Sequence, residues 1–340
     1  MAHRRHTLVF FVLGSSLLVA AGLAAVPSAT ANLLPEECPA VGVELDPETL
    51  PEGTDTLDCD LTGEEITVDG LTMQVPDPGV KVTMEVYSVD GADVASVEVD
   101  ESGEVTYSEN NPDQQVTGLL ATGGPSACSD GAYTDKDEKQ LGIWYWYLGD
   151  GARPAGLSTT ETANALKEAM GWLSTGYSDC ATDKTYTAYD VAATYEGVTT
   201  YESDMHVEGA KTVCGDGSLD GRDHRSVVDF GNLDDNGDPP LATECTWMLL
   251  RPGANNSILE SDIRFNTTDK DFYYAKPAGC DNKYDLRGVA IHEFGHSFGL
   301  GHVSETTHGY LTMSTQLGDC DNSQRTLGKG DILSLNNTYG

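Results

Sequence analysis

The chain has 340 residues and a formal charge of −36, from 55 acidic and 19 basic residues. That excess excludes a nucleic-acid binder, since a phosphate backbone would be repelled, and its spread along the chain marks a solvated acidic surface. The length suggests two domains beyond a leader.

Residues 1–31 combine a basic start at Arg4 and Arg5, an apolar run from Leu8 to Val26 and the small-residue site Ala29, Thr30, Ala31. This predicts a secretory signal peptide cleaved after Ala31; Gly14, Ser15 and Ser16 interrupt the run and argue against a membrane anchor. The paired arginines leave the general and twin-arginine export routes open. No later run is long and apolar enough to span a bilayer, so the mature chain is expected as an extracellular monomer without stable membrane insertion.

Residues 32–110 alternate apolar with polar side chains at Val80 to Val89, Asp93 to Val99 and Glu104 to Tyr107, with turns at Asp90-Gly91 and Ser102-Gly103. That is the pattern of a small antiparallel β unit. Residues 111–126 are rich in turn formers and form the expected linker to a second domain over 127–340. There, Ile143 to Leu148 is an aromatic strand, and Ser158 to Leu173 a helix with Ser158 and Glu161 as a capping box. Strand-like runs follow at Tyr186 to Tyr195, Ser226 to Phe230, Thr246 to Leu250 and Ile258 to Phe265. A last helix is expected over about 286–299, capped by Asp285, with Val289, Ala290, Phe294 and Phe298 on its apolar side.

All eight cysteines lie after Ala31. An even count in an exported chain implies disulfides, with 105 connectivities open. Pairing neighbours in sequence gives 38 with 59, 128 with 180, 214 with 245 and 280 with 320. A thiolate metal site is disfavoured because no CxxC pair exists.

The chemistry concentrates in HEFGHSFGLGH, His292 to His302. His292 and His296 leave one face of a helix a turn apart and can hold one metal, with Glu293 beside them. Gly299 can adopt the positive φ that ends a helix and turns His302 back to the same ion. Three protein ligands leave a coordination position open, as in a catalytic zinc site, and Glu293 is then placed as a general base. Five residues at these fixed spacings arise by chance in about one in a hundred thousand chains of this length, which sets aside the alternative of ordinary helix residues.

This motif, followed by Met313 in LTMS, resembles the metzincin zinc peptidases, and most closely secreted bacterial matrixin-type members. ESDIRFN at 260–266, YDLRGVAIHEFGHSFGLGH at 284–302 and RTLGKGD at 325–331 carry the resemblance, which covers roughly residues 125–340. It implies an α+β fold: a metzincin-type zincin catalytic domain, with a twisted mixed sheet, an active-site helix and a Met-turn, preceded here by the small β-rich region. It implies that His292, His296 and His302 bind zinc, that Glu293 activates a zinc-bound water for peptide hydrolysis, and that Met313 lies beneath the metal. Without the family, Met313 would be core filler.

The resemblance also implies that Ser261, Asp262, Ile263, Arg264 and Phe265 form a sheet edge to which a peptide substrate adds as a strand. Arg264 is there expected as a structural ion-pair partner. Gly301 and Thr315 depart from the Asp and Pro usual in matrixins, without touching the chemistry. Thr315 excludes a tyrosine ligand of the astacin kind, and neither Cys38 nor Cys59 lies in a cysteine-switch motif. Residues 32–110 are a propeptide or a binding module, and their place ahead of an exported peptidase favours the propeptide. The rival from another class is a non-catalytic zinc-containing adhesin or binding protein on the same scaffold. Such proteins generally lose the glutamate, which this chain keeps.

Asp234, Asp235, Asn236 and Asp238 lie in an oxygen-rich run that suits calcium or a solvated acidic turn, without EF-hand spacing. His206, His224 and His308 lie outside the motif; His224 with nearby aspartates is a candidate for a second, structural zinc.

Overall fold

A computed structural model describes residues 38–40, 42–51, 54–109, 124–234 and 239–340. The expected signal peptide, most of the expected linker and three of the four calcium candidates (Asp235, Asn236 and Asp238) fall outside these residues. Among the described residues no helix is long and apolar enough to cross a membrane.

Ahead of residue 110 run a short helix α1 (Thr56–Cys59) and strands β1 (Glu65–Val68), β2 (Leu71–Gln74), β3 (Val80–Tyr87), β4 (Ala92–Val99) and β5 (Val105–Glu109). The turn joining β1 to β2 puts Asp69 and Gly70 at φ 48° and 85°, the pair of positive values a tight hairpin favours. Beyond residue 124 come β6 (Thr134–Asp135), β7 (Glu138–Gln140), β8 (Trp144–Leu148), α2 (Thr159–Thr175), β9 (Ala193–Val198), β10 (Met205–Glu208) and β11 (Lys211–Cys214). Then follow β12 (Ser226–Gly231), β13 (Ala242–Leu249), β14 (Asn256–Asn266), α3 (Leu286–His296), α4 (Glu305–His308) and α5 (Lys329–Tyr339).

The starts of α2 and α3 follow from their caps. The Ser158 hydroxyl accepts the Glu161 N–H at 3.2 Å while the Glu161 carboxylate accepts the Ser158 N–H at 2.9 Å, and α2 stops at Gly176 with φ 63°. Asp285 caps α3 by accepting the Arg287 N–H. One expected strand is much shorter: only from Ala193 does the run beginning at Tyr186 become extended. The Asp190 carboxylate accepts the N–H and hydroxyl of Thr187, both at 2.7 Å, and closes a turn in its first half.

The large sheet has the order β5-β4-β3-β13-β14-β12-β8-β9, with β7 added on β14. Its β14-β12-β8-β9 half is parallel, as crossovers such as that through α2 require, and its β5-β4-β3-β13 half is antiparallel. A four-stranded sheet, β1-β2-β11-β10, combines strands from both parts of the chain. The described residues belong to one compact unit, and the regions before 110 and after 123 share both sheets.

Their cores stay distinct. One core joins α2, α3 and the inner side of the parallel strands, through Leu166, Met170, Trp146, Phe230, Ile263 and Phe294. The other joins Ile66, Met73, Val82, Met84, Val86, Val97 and Val99, and from beyond residue 99 it gains Met205, Cys214, Leu233, Cys245 and Trp247. β3 lies between them, its even-numbered side chains in the second core and Tyr87 in the first.

The four disulfides are Cys38–Cys59, Cys128–Cys180, Cys214–Cys245 and Cys280–Cys320. Each closes on its own side of residues 110–123, and no disulfide joins the first part to the second.

The expected edge strand is a correction. Ser261, Asp262, Ile263, Arg264 and Phe265 lie in β14, which is bonded to β12 on one side and β13 on the other. Glu260 and Asp262 of the same strand are buried, Glu260 in a cluster with Asp204 and Asp262 accepting the Asp204 N–H at 2.8 Å. Arg264 pairs with Glu202 at 3.5 Å and Asp229 at 3.8 Å, the structural role expected of it. Where the parallel strands and β14 end, the outer strand is β13, and β3 pairs with it from Ala242↔Tyr87 to Leu249↔Val80.

Candidate functional site

α3 carries His292 and His296 one turn apart and ends there, the Ser297 N–H donating to the Glu293 carbonyl. The bend that follows requires glycine. Gly299 has φ 83°, and a Cβ on it would stand 2.4 Å from the Glu138 carbonyl oxygen. The turn returns His302 to the helix, so that the Nε2 atoms of His292, His296 and His302 lie 3.1 Å from one another.

The Nδ1 atoms set the chemistry of this triangle. His292 Nδ1 lies 2.8 Å from the Thr312 carbonyl and His296 Nδ1 2.8 Å from the Leu300 carbonyl. A carbonyl only accepts, so these nitrogens carry the protons and the Nε2 lone pairs of both rings face inward. Facing lone pairs repel unless a cation lies between them. Ligands about 2.0–2.1 Å from a tetrahedral zinc would be about 3.3 Å apart, close to the spacing found. Burial first, then the neighbouring His302, holds the His292 and His296 imidazoles well below the usual histidine range, in the neutral form that binds metal. The donor set therefore fits zinc.

Glu293 is fully buried beside them, and neither of its carboxylate oxygens has a hydrogen-bond partner among the described residues. Burial, reinforced by Glu244 and Glu85, pushes its pKa well above the carboxylate range. An orphaned carboxylate at a three-imidazole cluster is costly to fold and suits a group that must accept a proton.

Met313 is buried under the helix, where a Cβ on Gly295 would come within 2.5 Å of its Sδ. Its loop is pinned from α5. The Asp331 carboxylate accepts the N–H groups of Thr312 at 3.0 Å, Met313 at 3.2 Å and Gly328 at 2.7 Å. That loop in turn presents the carbonyl that orients His292, so Asp331 positions a candidate ligand through the backbone.

Residues 183–340 match the family model of the matrixins, the M10 peptidases. The match supports a metzincin peptidase of the matrixin type. Matrixins are zinc-dependent metallopeptidases, and the mixed α+β architecture agrees with that match. A search of curated proteins finds no match to the chain.

The remaining sequence candidates disperse around the matrixin domain. His224 pairs with Asp220 at 3.2 Å on an exposed turn, and His308 with Asp130 at 2.9 Å. His206 approaches Glu65 and Glu208 in an open acidic group. The Asp234 backbone bonds to Thr212, which ties it to β11.

Two residues escape the sequence altogether. The Tyr87 ring stacks on His292, centroids 3.8 Å apart and planes 12° from parallel. Glu85 Oε2 lies 3.2 Å from His296 Nδ1 and 3.7 Å from His302 Nδ1, and the same carboxylate contacts Lys136. Both stand on β3, about 200 residues upstream of the motif, and no local spacing marks them. Charged and aromatic side chains on the same face of one strand are the only trace.

Proposed function

We propose that this protein is an exported zinc endopeptidase whose peptide-binding edge is covered by its own N-terminal part. The observation that carries the catalytic reading is the triangle of inward-facing Nε2 atoms with the unpartnered Glu293 beside it. Zinc, when bound, supplies Lewis acidity to the carbonyl under attack and acidifies the attacking water. His292, His296 and His302 would hold it, with the Thr312 and Leu300 carbonyls fixing two of the rings. Glu293 takes the proton of the attacking water and returns it to the leaving amine, a transfer that its raised pKa favours. Met313 serves as the Met-turn, a polarisable floor beneath the imidazoles.

Export is supported by the leader pattern of residues 1–31 and by the pairing of all eight cysteines. The propeptide reading of residues 32–110 is supported by burial. His292, Glu293 and His296 are 0% exposed and His302 7%, and the edge of β13 to which an extended peptide would add is taken by β3. A non-catalytic binding protein is not favoured, because a buried carboxylate with no partner contributes nothing to adhesion.

The test is hydrolysis of casein and a broad peptide library by the purified chain, before and after limited proteolysis between residues 110 and 123. Cleavage should appear or rise after the cut, stop with a zinc chelator and be absent in Glu293→Ala. A zinc-loaded, cut protein that hydrolyses nothing in the library would rule the reading out.

A further inference from the structure

Lys136 is a buried ammonium in the cleft that the hydrolytic chemistry does not use. It is fixed from the catalytic side: its backbone N–H donates to the Gly299 carbonyl at 3.0 Å, so the bend that places His302 also places Lys136. It contacts Glu138, two residues along its own segment, at 3.2 Å, and Glu85 of β3. Burial works against its charge, yet Glu138, Glu85 and Glu244 hold it protonated beyond the ordinary lysine range.

The strand opposite is complementary in both signs. Lys81 of β3 lies 3.6 Å from Glu138, while Glu85, four residues on and on the same face, meets Lys136. Two residues further, Tyr87 packs on His292. A slip of one residue would turn Glu85 into the aliphatic core on the other face of β3, and a slip of two would bring Thr83 or Tyr87 to Lys136. The charges therefore select a register as well as a strand. β3 is antiparallel to β13 along eight residue pairs, as an added peptide could be.

We propose that β3 lies along the path of a bound peptide and that Lys136 is a specificity-determining residue on that path, taking an acidic side chain where Glu85 now sits. This rests on the peptidase reading and names the substrate class: extended peptides with an acidic residue two positions before the side chain that packs on His292. Displacing β3 leaves Lys136 with Glu138 but without its second carboxylate. An incoming acidic residue restores that contact, whereas a lysine there meets like charge in a desolvated site.

The experiment uses the full chain with Glu293→Ala, loaded with zinc and cut at a protease site inserted between residues 110 and 123, both pieces retained. Fluorescent peptides with the sequence of residues 80–87, carrying Glu or Lys at the sixth position, are titrated and followed by anisotropy. Competition from β3 weakens both peptides alike, so the ratio of their affinities is what is read. The Glu peptide should bind at least about tenfold tighter, Lys136→Met should bring the ratio near one, and Lys136→Glu should invert it. An unchanged ratio in either variant, or no binding of any peptide to a zinc-retaining protein, overturns the proposal. Cleavage is scored separately with Glu293 intact: preference without cleavage refutes the peptidase reading and leaves Lys136 as the reader.

Discussion

The two faces of β3 do different work with different chemistry. Its even-numbered residues, Val82, Met84 and Val86, sink into an aliphatic core with Ile66, Met73 and Val97. Its odd-numbered residues, Lys81, Glu85 and Tyr87, meet charges and an imidazole on the α3 side. Apolar burial fixes which side of the strand points inward but tolerates a slip of two residues, while a charge pair is particular about position. One strand is thus anchored by one side and recognised by the other. Stability and activity should therefore respond to different residues.

The largest effect belongs to the α3 side. Glu293→Ala should lower kcat by about 10³-fold or more, the scale of a lost general base, with a melting temperature no lower than that of the parent, because the carboxylate removed had no partner. A stability loss matching the activity loss would merge the two roles. On the other face, Met84→Ala should cost about 2–5 kcal/mol in denaturant unfolding of the full chain while leaving zinc stoichiometry unchanged. Zinc lost along with stability would show that the cores are not separable.

Gly299→Ala combines a left-handed backbone with a close approach to the Glu138 carbonyl. It should cost about 1–3 kcal/mol and weaken zinc retention together, since His302 follows from that bend. Normal zinc affinity would mean that the third ligand is placed by something other than the turn.

The effect with least bearing on activity concerns the carboxylates of Glu260, on β14, and of Asp204. Burial is the largest cause that pushes Glu260 up to about 7 and Asp204 up to about 9, with neighbouring carboxylates adding to it. Both values exceed those of an unfolded chain, near 4, so the stability these groups confer is complete below about pH 4 and lost as pH rises through their folded values. The melting temperature should fall between about pH 4 and 9, and Asp204→Asn should flatten the slope. A slope that Asp204→Asn leaves unaltered would place the titration elsewhere.

How much of this was legible in the chain depended on distance along it. The histidine triangle and the α2 capping box rest on spacings of three to ten residues, and helix geometry turns such spacings directly into neighbours. Alternation in residues 80–89 revealed that β3 has two faces but not what each would meet, because strand pairing with β13 joins residues some 160 positions apart. The edge expected at Ser261 to Phe265 rested on the family resemblance alone, and nothing in the local sequence shows that β12 and β13 flank that strand. Charged residues along a strand look alike whether they face water or a cluster such as that of Glu260 with Asp204 and Asp223.

The disulfides give the arrangement a concentration scale. Since none of them crosses from residues 38–109 to residues 124–340, the intervening peptide chain is the covalent link that adds to the β3–β13 pairing an effective concentration in the millimolar range for a short tether. One cut in that chain converts an intramolecular contact into a dissociable complex of two polypeptides. Release then depends on dilution: a cut molecule in a crowded export channel would stay covered, and the same molecule dispersed in a large volume would shed its cover without any reductant.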